Sequence, residues 1–365
     1  MRLVPIGGRT ADHRRAGRPV RVLAGMTALI AGLLTVAGCQ AGSSSSATPT
    51  FSGTDNVVRV AQTPGVGDAP LFLAFQQGLF RKAGLQVRIT NLGSTRAELT
   101  ALRAGKVDVA FGDYADMFYA QALAQTQAKG RNAKGSLNLV LVADGYDAVA
   151  NTMEVLALPG SHIVTPQNLA NKSVGTALAQ LMPSVAGQVS PYSLDTVATQ
   201  SVLTNDSVKP SSITWKPLPP EGPHGLIQSL ANHQVDAILA TEPTLFEAES
   251  QLGAVPVLDS CTGFTANLPL DGYFSSRTFA SAHHATLTAF RNVLLKAQAL
   301  ANSQSAPVRN TLEGSEGMSV QDASLLTIGQ YPTTLSVNDL QRVISLMFGF
   351  NAIPAQPSVK AMLFH

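Results

Sequence analysis

From residue 57 onward the chain alternates short apolar runs with segments of helical periodicity. Val57, Val58, Val60 and Ala61 predict a first strand over 57–61. A loop with Gly65, Gly67 and Asp68 follows, and Pro70 stands where a first helical turn tolerates proline. Leu71, Phe72, Ala74 and Phe75 give that helix its apolar face, and Gly78 supplies a stop. Leu85, Val87 and Ile89 alternate with polar residues as a second strand. Gly93 and Ser94 then turn into a helix whose Thr95-Arg96-Ala97-Glu98 start has the pattern of a capping box. Val107, Val109 and Phe111 predict a third strand over 107–111. Further strands are expected at 174–177, 213–218 and 237–240, separated by helical segments at 194–203 and 226–231. A long helix at 287–301 is expected to pack on the first lobe, and helical patterning recurs around Leu340 to Met347.

This alternation is that of an α/β fold with largely parallel sheets. Residues 101–110 also echo residues 229–238, each being a helix end, a turn and a Val-Asp pair leading into a strand. The echo suggests two similar sheets. About 310 residues exceed what one core usually holds, so two lobes are expected. Their boundaries are read as 56–151 with 268–365 for lobe one and 152–267 for lobe two.

The N-terminus has a different pattern. Six arginines, from Arg2 to Arg21, precede an uncharged apolar run over 22–36, too short for a comfortable permanent span and followed by small residues. Residues 1–38 are read as a signal peptide. Val36-Ala37-Gly38-Cys39 resembles the lipobox of bacterial lipoproteins, which implies acylation of Cys39. Residues 39–55 then form a flexible tether, Ser-, Ala- and Gly-rich at its start. The protein is therefore expected on the outer face of the cell membrane, lipid-anchored after secretion. Of 25 Lys+Arg and 23 Asp+Glu, loss of 1–38 takes six and one, leaving 19 against 22. The mature chain is mildly acidic, with no basic tract for nucleic acid. Cys261 has no second cysteine to pair with once Cys39 is acylated.

The segments 70–74 and 78–87, with Gly78-Leu79-Phe80 and Gly84-Leu85, together with 102–112, resemble the ABC-transporter substrate-binding proteins for nitrate, sulfonates, taurine and thiamine-pyrimidine precursors. Residues 169–175 and Val235-Asp236-Ala237 through Glu242-Pro243 are similar as well. The resemblance implies a two-lobe type II periplasmic-binding-protein fold with a ligand cleft between the lobes. It also implies a small-molecule ligand and an ABC permease in the membrane as partners. The protein is expected to be a monomer.

In open α/β sheets ligands bind beyond the carboxyl ends of the strands, where helix N-termini present free N–H groups. The corresponding loops are 62–69, 93–95, 112–116, 144–148, 176–180 and 241–243. Within them Asp68, Ser94, Thr95, Asp113, Tyr114, Tyr146, Thr176 and Glu242 are the candidate ligand-binding residues. Asp113 and Thr95 could equally be helix caps, Asp68 could brace its own turn, and Tyr114 could be packing. Asp68, Asp113, Asp116, Asp144 and Asp147 outnumber the lone Arg96, which favours a neutral or cationic organic solute over a small inorganic anion. Tyr114, Phe118, Tyr146, Tyr192 or Trp215 could stack on a planar ligand.

No Cys-x-x-Cys, His-Glu-x-x-His, Gly-x-Ser-x-Gly, P-loop or complete dinucleotide fingerprint occurs, and Gly65-Val66-Gly67 lacks its third glycine. His283 and His284 are adjacent and diverge, a poor metal pair. No enzymatic activity, metal or cofactor is expected. Three readings stand: a solute-binding lipoprotein of an ABC importer, a secreted enzyme on the same fold, and a sensor without transport.

Overall fold

A computed structural model describes residues 56–128, 138–177, 193–218, 223–316 and 318–365. The signal peptide, the tether and Cys39 lie outside them. Two five-stranded sheets are built on one plan. The first contains β1 (Val57–Gln62), β2 (Gln86–Asn91), β3 (Val109–Asp113) and β4 (Leu139–Asp147). The second contains β5 (Met153–Ala157), β6 (Ser173–Ala177), β7 (Thr214–Leu218), β8 (Ala237–Thr241) and β9 (Val255–Asp259). The chain then returns to the first sheet as β10 (Pro269–Ser276). The strand orders are β2-β1-β3-β10-β4 and β7-β6-β8-β5-β9. In each, three parallel strands are followed by one antiparallel strand, β10 against β3 and β5 against β8. The sequence echo falls on this equivalence, since its two copies lead into β3 and β8.

The same interaction seats β3 and β8 in their sheets. Asp108 accepts from the backbone N–H of Arg59 on β1 at 2.8 Å, and Asp236 accepts from that of Ser173 on β6 at 2.8 Å. A carboxylate before the third strand thus satisfies a donor of the first, fixing their register. In lobe one the Arg59 guanidinium adds two charge-assisted bonds to Asp108.

Apolar packing covers both faces of each sheet. Successive β4 residues alternate, with Leu139 and Leu141 in one cluster and Val140 and Val142 in the other. The helix His284–Ser303 covers the second face of lobe one through Leu287, Phe290 and Leu294, as expected for the long helix. The helix Val337–Gly349 buries Leu340, Val343, Ile344 and Met347 in a cluster that also holds Tyr114 and Phe118 of lobe one and Val197 and Ala198 of lobe two. Two segments join the lobes, between β4 and β5 and between β9 and β10. They hydrogen-bond each other through the Ala148 N–H and Leu268 carbonyl at 2.9 Å. From the far side, Arg342 donates to the carbonyls of Ala266 and Asn267.

Two local expectations are corrected. The helix Thr95–Arg103 is capped by Ser94, whose hydroxyl accepts from the Ala97 N–H, and the Thr95-Glu98 capping box does not form. Glu98 is instead fully buried and accepts from the Thr63 hydroxyl at 2.9 Å. Residues 144–147, read as a loop, belong to the end of β4.

Candidate functional site

A cavity of about 510 Å³ lies between the lobes at the carboxyl ends of the parallel strands, within the roughly 300–1,000 Å³ range of small-molecule pockets. From lobe one come Thr63, Gly65 and Gly67 after β1, Ser94 and Thr95 after β2, Gly112 and Asp113 at the end of β3, and Asp116 in the first turn of the following helix, Tyr114–Ala128. Tyr146 of β4 and Asp271 at the start of β10 complete that wall. Lobe two contributes Ala177 at the end of β6, Ser193 and Asp195 at the next helix start, and Thr241 to Thr244 after β8.

Glycine sets the floor. A Cβ on Gly112 would stand 2.6 Å from Thr95 Oγ1 and 2.8 Å from Glu98 Oε2, so only glycine lets the Thr95 helix close on β3. A Cβ on Gly67 would meet Asp271 Oδ2 at 2.9 Å, which shows how closely the β1 loop lies on that carboxylate.

At each helix N-terminus that opens into the cleft, at least one first-turn N–H is taken by a side chain of the protein. Ser94 caps the Thr95 helix. Asp113 Oδ1 accepts from Ala115 and Asp116 N–H, and the Asp113 N–H itself donates to Thr95 Oγ1 at 3.1 Å. Asp195 Oδ1 accepts from the Thr196 N–H at 2.9 Å and from the Ser193 hydroxyl. Glu242 Oε2 accepts from the Phe246 N–H at 3.1 Å. Its other oxygen reaches across to lobe one, accepting from the Thr327 N–H at 3.0 Å. Thr327 belongs to a strap pinned to β4 by the Gly329 N–H to the Tyr146 hydroxyl at 2.7 Å, and by pairing of Gln330 with Asp147.

Asp113 and Asp271 are direct cross-strand partners in the β3–β10 ladder. Like charges placed so are destabilising. Burial raises the Asp271 carboxyl to about 7 and that of Asp195 to about 6. Asp113 is pushed well above the usual range by burial and by the charges of Asp116, Asp271 and Asp195. Asp116 rises to about 6 by burial, partly offset by Arg96. Glu98 rises to about 8 through burial, against the bond from Thr63, with Asp271 and Asp116 adding to the rise.

Of the residues picked out in the sequence, Ser94, Thr95, Asp113, Tyr146 and Glu242 line this cleft. Tyr114, Asp68 and Thr176 lie behind its walls. Tyr114 is fully buried, donates to Asp144 Oδ1 at 2.6 Å and stacks on Phe118. Asp68 is fully buried beneath its loop, and its charge adds to the rise that burial gives the Tyr273 and Tyr331 phenols. Thr176 is one residue out of phase with Ala177, which does face the cleft. Phe118 is core, Trp215 is a half-buried residue of β7 packed against the same core, and Tyr192 lies outside the described residues. Asp195 and Asp271 were not picked out. The Ser193-Leu194-Asp195 helix start carried the signal for the first, whereas Asp271 sits in a Pro-Leu-Asp-Gly run that reads as a turn. Among the described residues no Lys, Arg or His lines the cleft, and the sequence between Ala177 and Ser193 contains none. No group of three or more His, Cys, Asp or Glu able to hold a metal occurs among the described residues.

The same frame is found in solved proteins. The periplasmic aliphatic sulphonate binding protein SsuA from Escherichia coli superposes with a TM-score of 0.66 at 17% identity, covering 85% of this chain and 97% of that one. The periplasmic nitrate-binding protein NrtA from Synechocystis PCC 6803 gives 0.62 at 11%, covering 84% of each chain. The desulfurization enzyme DSZB gives 0.60 at 13%, covering 84% of this chain and 96% of its own. At these identities the likeness carries the periplasmic-binding-protein fold alone. The comparison with curated proteins gives no match. The model of the NMT1-like family, in contrast, matches residues 53–311, from the start of β1 through lobe two and into the returning helices, and the chain belongs to that family.

Proposed function

We propose that this protein is an extracytoplasmic solute receptor, anchored by acylated Cys39, that captures a small organic molecule between its lobes and presents it to an ABC permease. The observation that carries the reading is the cavity of about 510 Å³ into which the strand ends of both lobes converge across the two-segment connection. A ligand touching both walls binds the closed arrangement better than an open one, so its differential affinity supplies the closing free energy. Glu242 and Thr327 add one bond that exists only when the lobes meet. The binding-protein neighbours favour transport. The desulfurization-enzyme neighbour favours catalysis on the same frame, but among the described residues neither Cys nor His lines the cleft.

Two measurements test the reading. A ligand at about a thousandfold over its Kd stabilises by roughly 4 kcal/mol, so a screen of small solutes should raise Tm by several degrees for its true ligand and leave the ligand chemically unchanged. Turnover of that ligand would favour the enzyme instead. Cys39→Ser should release the exported protein from the membrane into the soluble fraction, and a variant that stays membrane-bound would overturn the anchor.

A further inference from the structure

In this fold the loops after the strands point helix N-termini into the cleft, and free N–H groups there suit an anionic ligand. Here part of each set is taken by the protein itself. First-turn N–H groups of the Thr95, Tyr114, Leu194 and Thr244 helices donate in turn to side chains of Ser94, Asp113, Asp195 and Glu242. Three of these four acceptors are carboxyl groups, so the protein has set its own acidic groups where an anionic solute would sit.

The carboxylates are not used up by capping. A carboxylate offers about four acceptor positions. Asp113 and Asp195 cap through Oδ1 only, and Asp271 accepts no hydrogen bond among the described residues while lining the cavity. Behind the floor, Glu98 is fully buried with Oε2 unpartnered, lying between Thr63 and Gly112, which both face the cavity. The frame itself does not demand this arrangement. The residue pair of lobe two at the same place as Asp113 and Asp271 is Thr241 and Met153, and it is uncharged. Lobe one therefore bears a cross-strand pair of carboxyl groups that its twin does without, and full ionisation of that pair carries a cost that a bound positive charge would remove.

Resting on the receptor reading above, we infer that the solute is an organic cation whose ammonium or amidinium group sits between Asp113 and Asp271 of lobe one and Asp195 of lobe two. A metal ion is disfavoured because the acidic groups are spread around the wall, with no ligating cluster among the described residues. A cation carrying carbon fits a cavity of this size, with Tyr146 and Thr241 as neutral wall. Because the charge contacts both lobes, closure and charge recognition are one event.

The test is a thermal-shift and titration series on the full-length protein with matched probes that differ in the sign of their charge. Benzamidine is set against benzoate, and 1,4-diaminobutane against succinate, with nitrate and ethanesulfonate as further anions. At pH 8 the cations should raise Tm and the anions should not. Asp271→Asn should weaken the cation about tenfold or more, the loss expected for one charge-assisted bond. Asp195→Asn on the other lobe should do the same, and it serves if the first variant does not fold. In the wild type, cation affinity should fall on the order of tenfold from pH 7.5 to 5.5, as the carboxylates take up protons that the ligand must displace. If the anions stabilise and the cations do not, the charge assignment is overturned while the receptor reading stands. If neither set shifts Tm, the charge assignment is overturned, and the receptor reading is decided by the wider solute screen.

Discussion

The two lobes share a strand order, a chain direction and the aspartate that seats the third strand, yet they treat the end of that strand differently. In lobe two the last residues of β8 are Ala240 and Thr241, facing Glu154 and Met153. In lobe one they are Gly112 and Asp113, facing Gly272 and Asp271. The first pair of differences removes side-chain bulk so that Thr95 and Glu98 can close on the strand, and the second places like charges opposite each other. A frame that folds with Ala, Thr and Met at these points does not require Gly and Asp. The departure belongs to the cleft, which lobe one floors and lobe two closes.

The comparison breaks most readily at Gly112. Gly112→Ala puts a methyl group within 2.6 Å of Thr95 Oγ1 and 2.8 Å of Glu98 Oε2, and overpacking of this kind costs about 2–3 kcal/mol. Chemical denaturation should show that loss, whereas Ala240→Gly at the twin position should cost only about 1 kcal/mol, the ordinary penalty of glycine in a strand. Equal costs would deny that the two strand ends differ in packing.

The seating aspartates give a smaller contrast. Asp108 is 3% exposed and binds the Arg59 backbone and guanidinium, whereas the Asp236 side chain is 41% exposed and binds Ser173 with Lys172 at 3.9 Å. Asp108→Ala leaves a backbone donor and an arginine without their acceptor and should cost about 2 kcal/mol. Asp236→Ala, where water can replace the carboxylate, should cost about 1 kcal/mol or less. Denaturant midpoints of the two variants measure the difference.

Much of the frame could be read from residue pattern because it rests on period-two runs such as Val58 and Val60 or Val109 and Phe111, and on the repeated Val-Asp pair at 107–108 and 235–236. β10 escaped because Pro269-Leu270-Asp271-Gly272 has turn chemistry, yet it pairs between β3 and β4 through backbone groups that any residue supplies. The site was half legible for a related reason. Strand ends and helix starts mark which loops face the cleft, but adjacent residues point to opposite sides. Asp113 faces the cavity and Tyr114 the core, Ala177 the cavity and Thr176 the sheet packing, and phase of that kind depends on register set by the partner strands. Asp271 meets Asp113 through the β3–β10 pairing, and Asp195 reaches them only where the lobes face each other across the cleft, proximities that no local pattern encodes.

The central claim is that lobe one carries negative charge at the cleft at the expense of the empty fold. Asp271 is held at about 7 by burial, against an ordinary 3.8. Around it stand Asp113, Glu98 and Asp144, with the hydroxyls of Tyr114, Tyr146 and Tyr273. A folded-state value above the unfolded one means the folded state binds more protons between the two, so stability is retained at low pH and lost as pH rises through about 7. The decisive measurement is Tm of the empty wild type and of Asp271→Asn from pH 5 to 8.5. The account predicts an Asn variant whose stability advantage over the wild type grows by about 2–3 kcal/mol from pH 5 to pH 8.5, most of it below about pH 7. A difference that stays constant across the whole range, or an advantage that shrinks as pH rises, would contradict it.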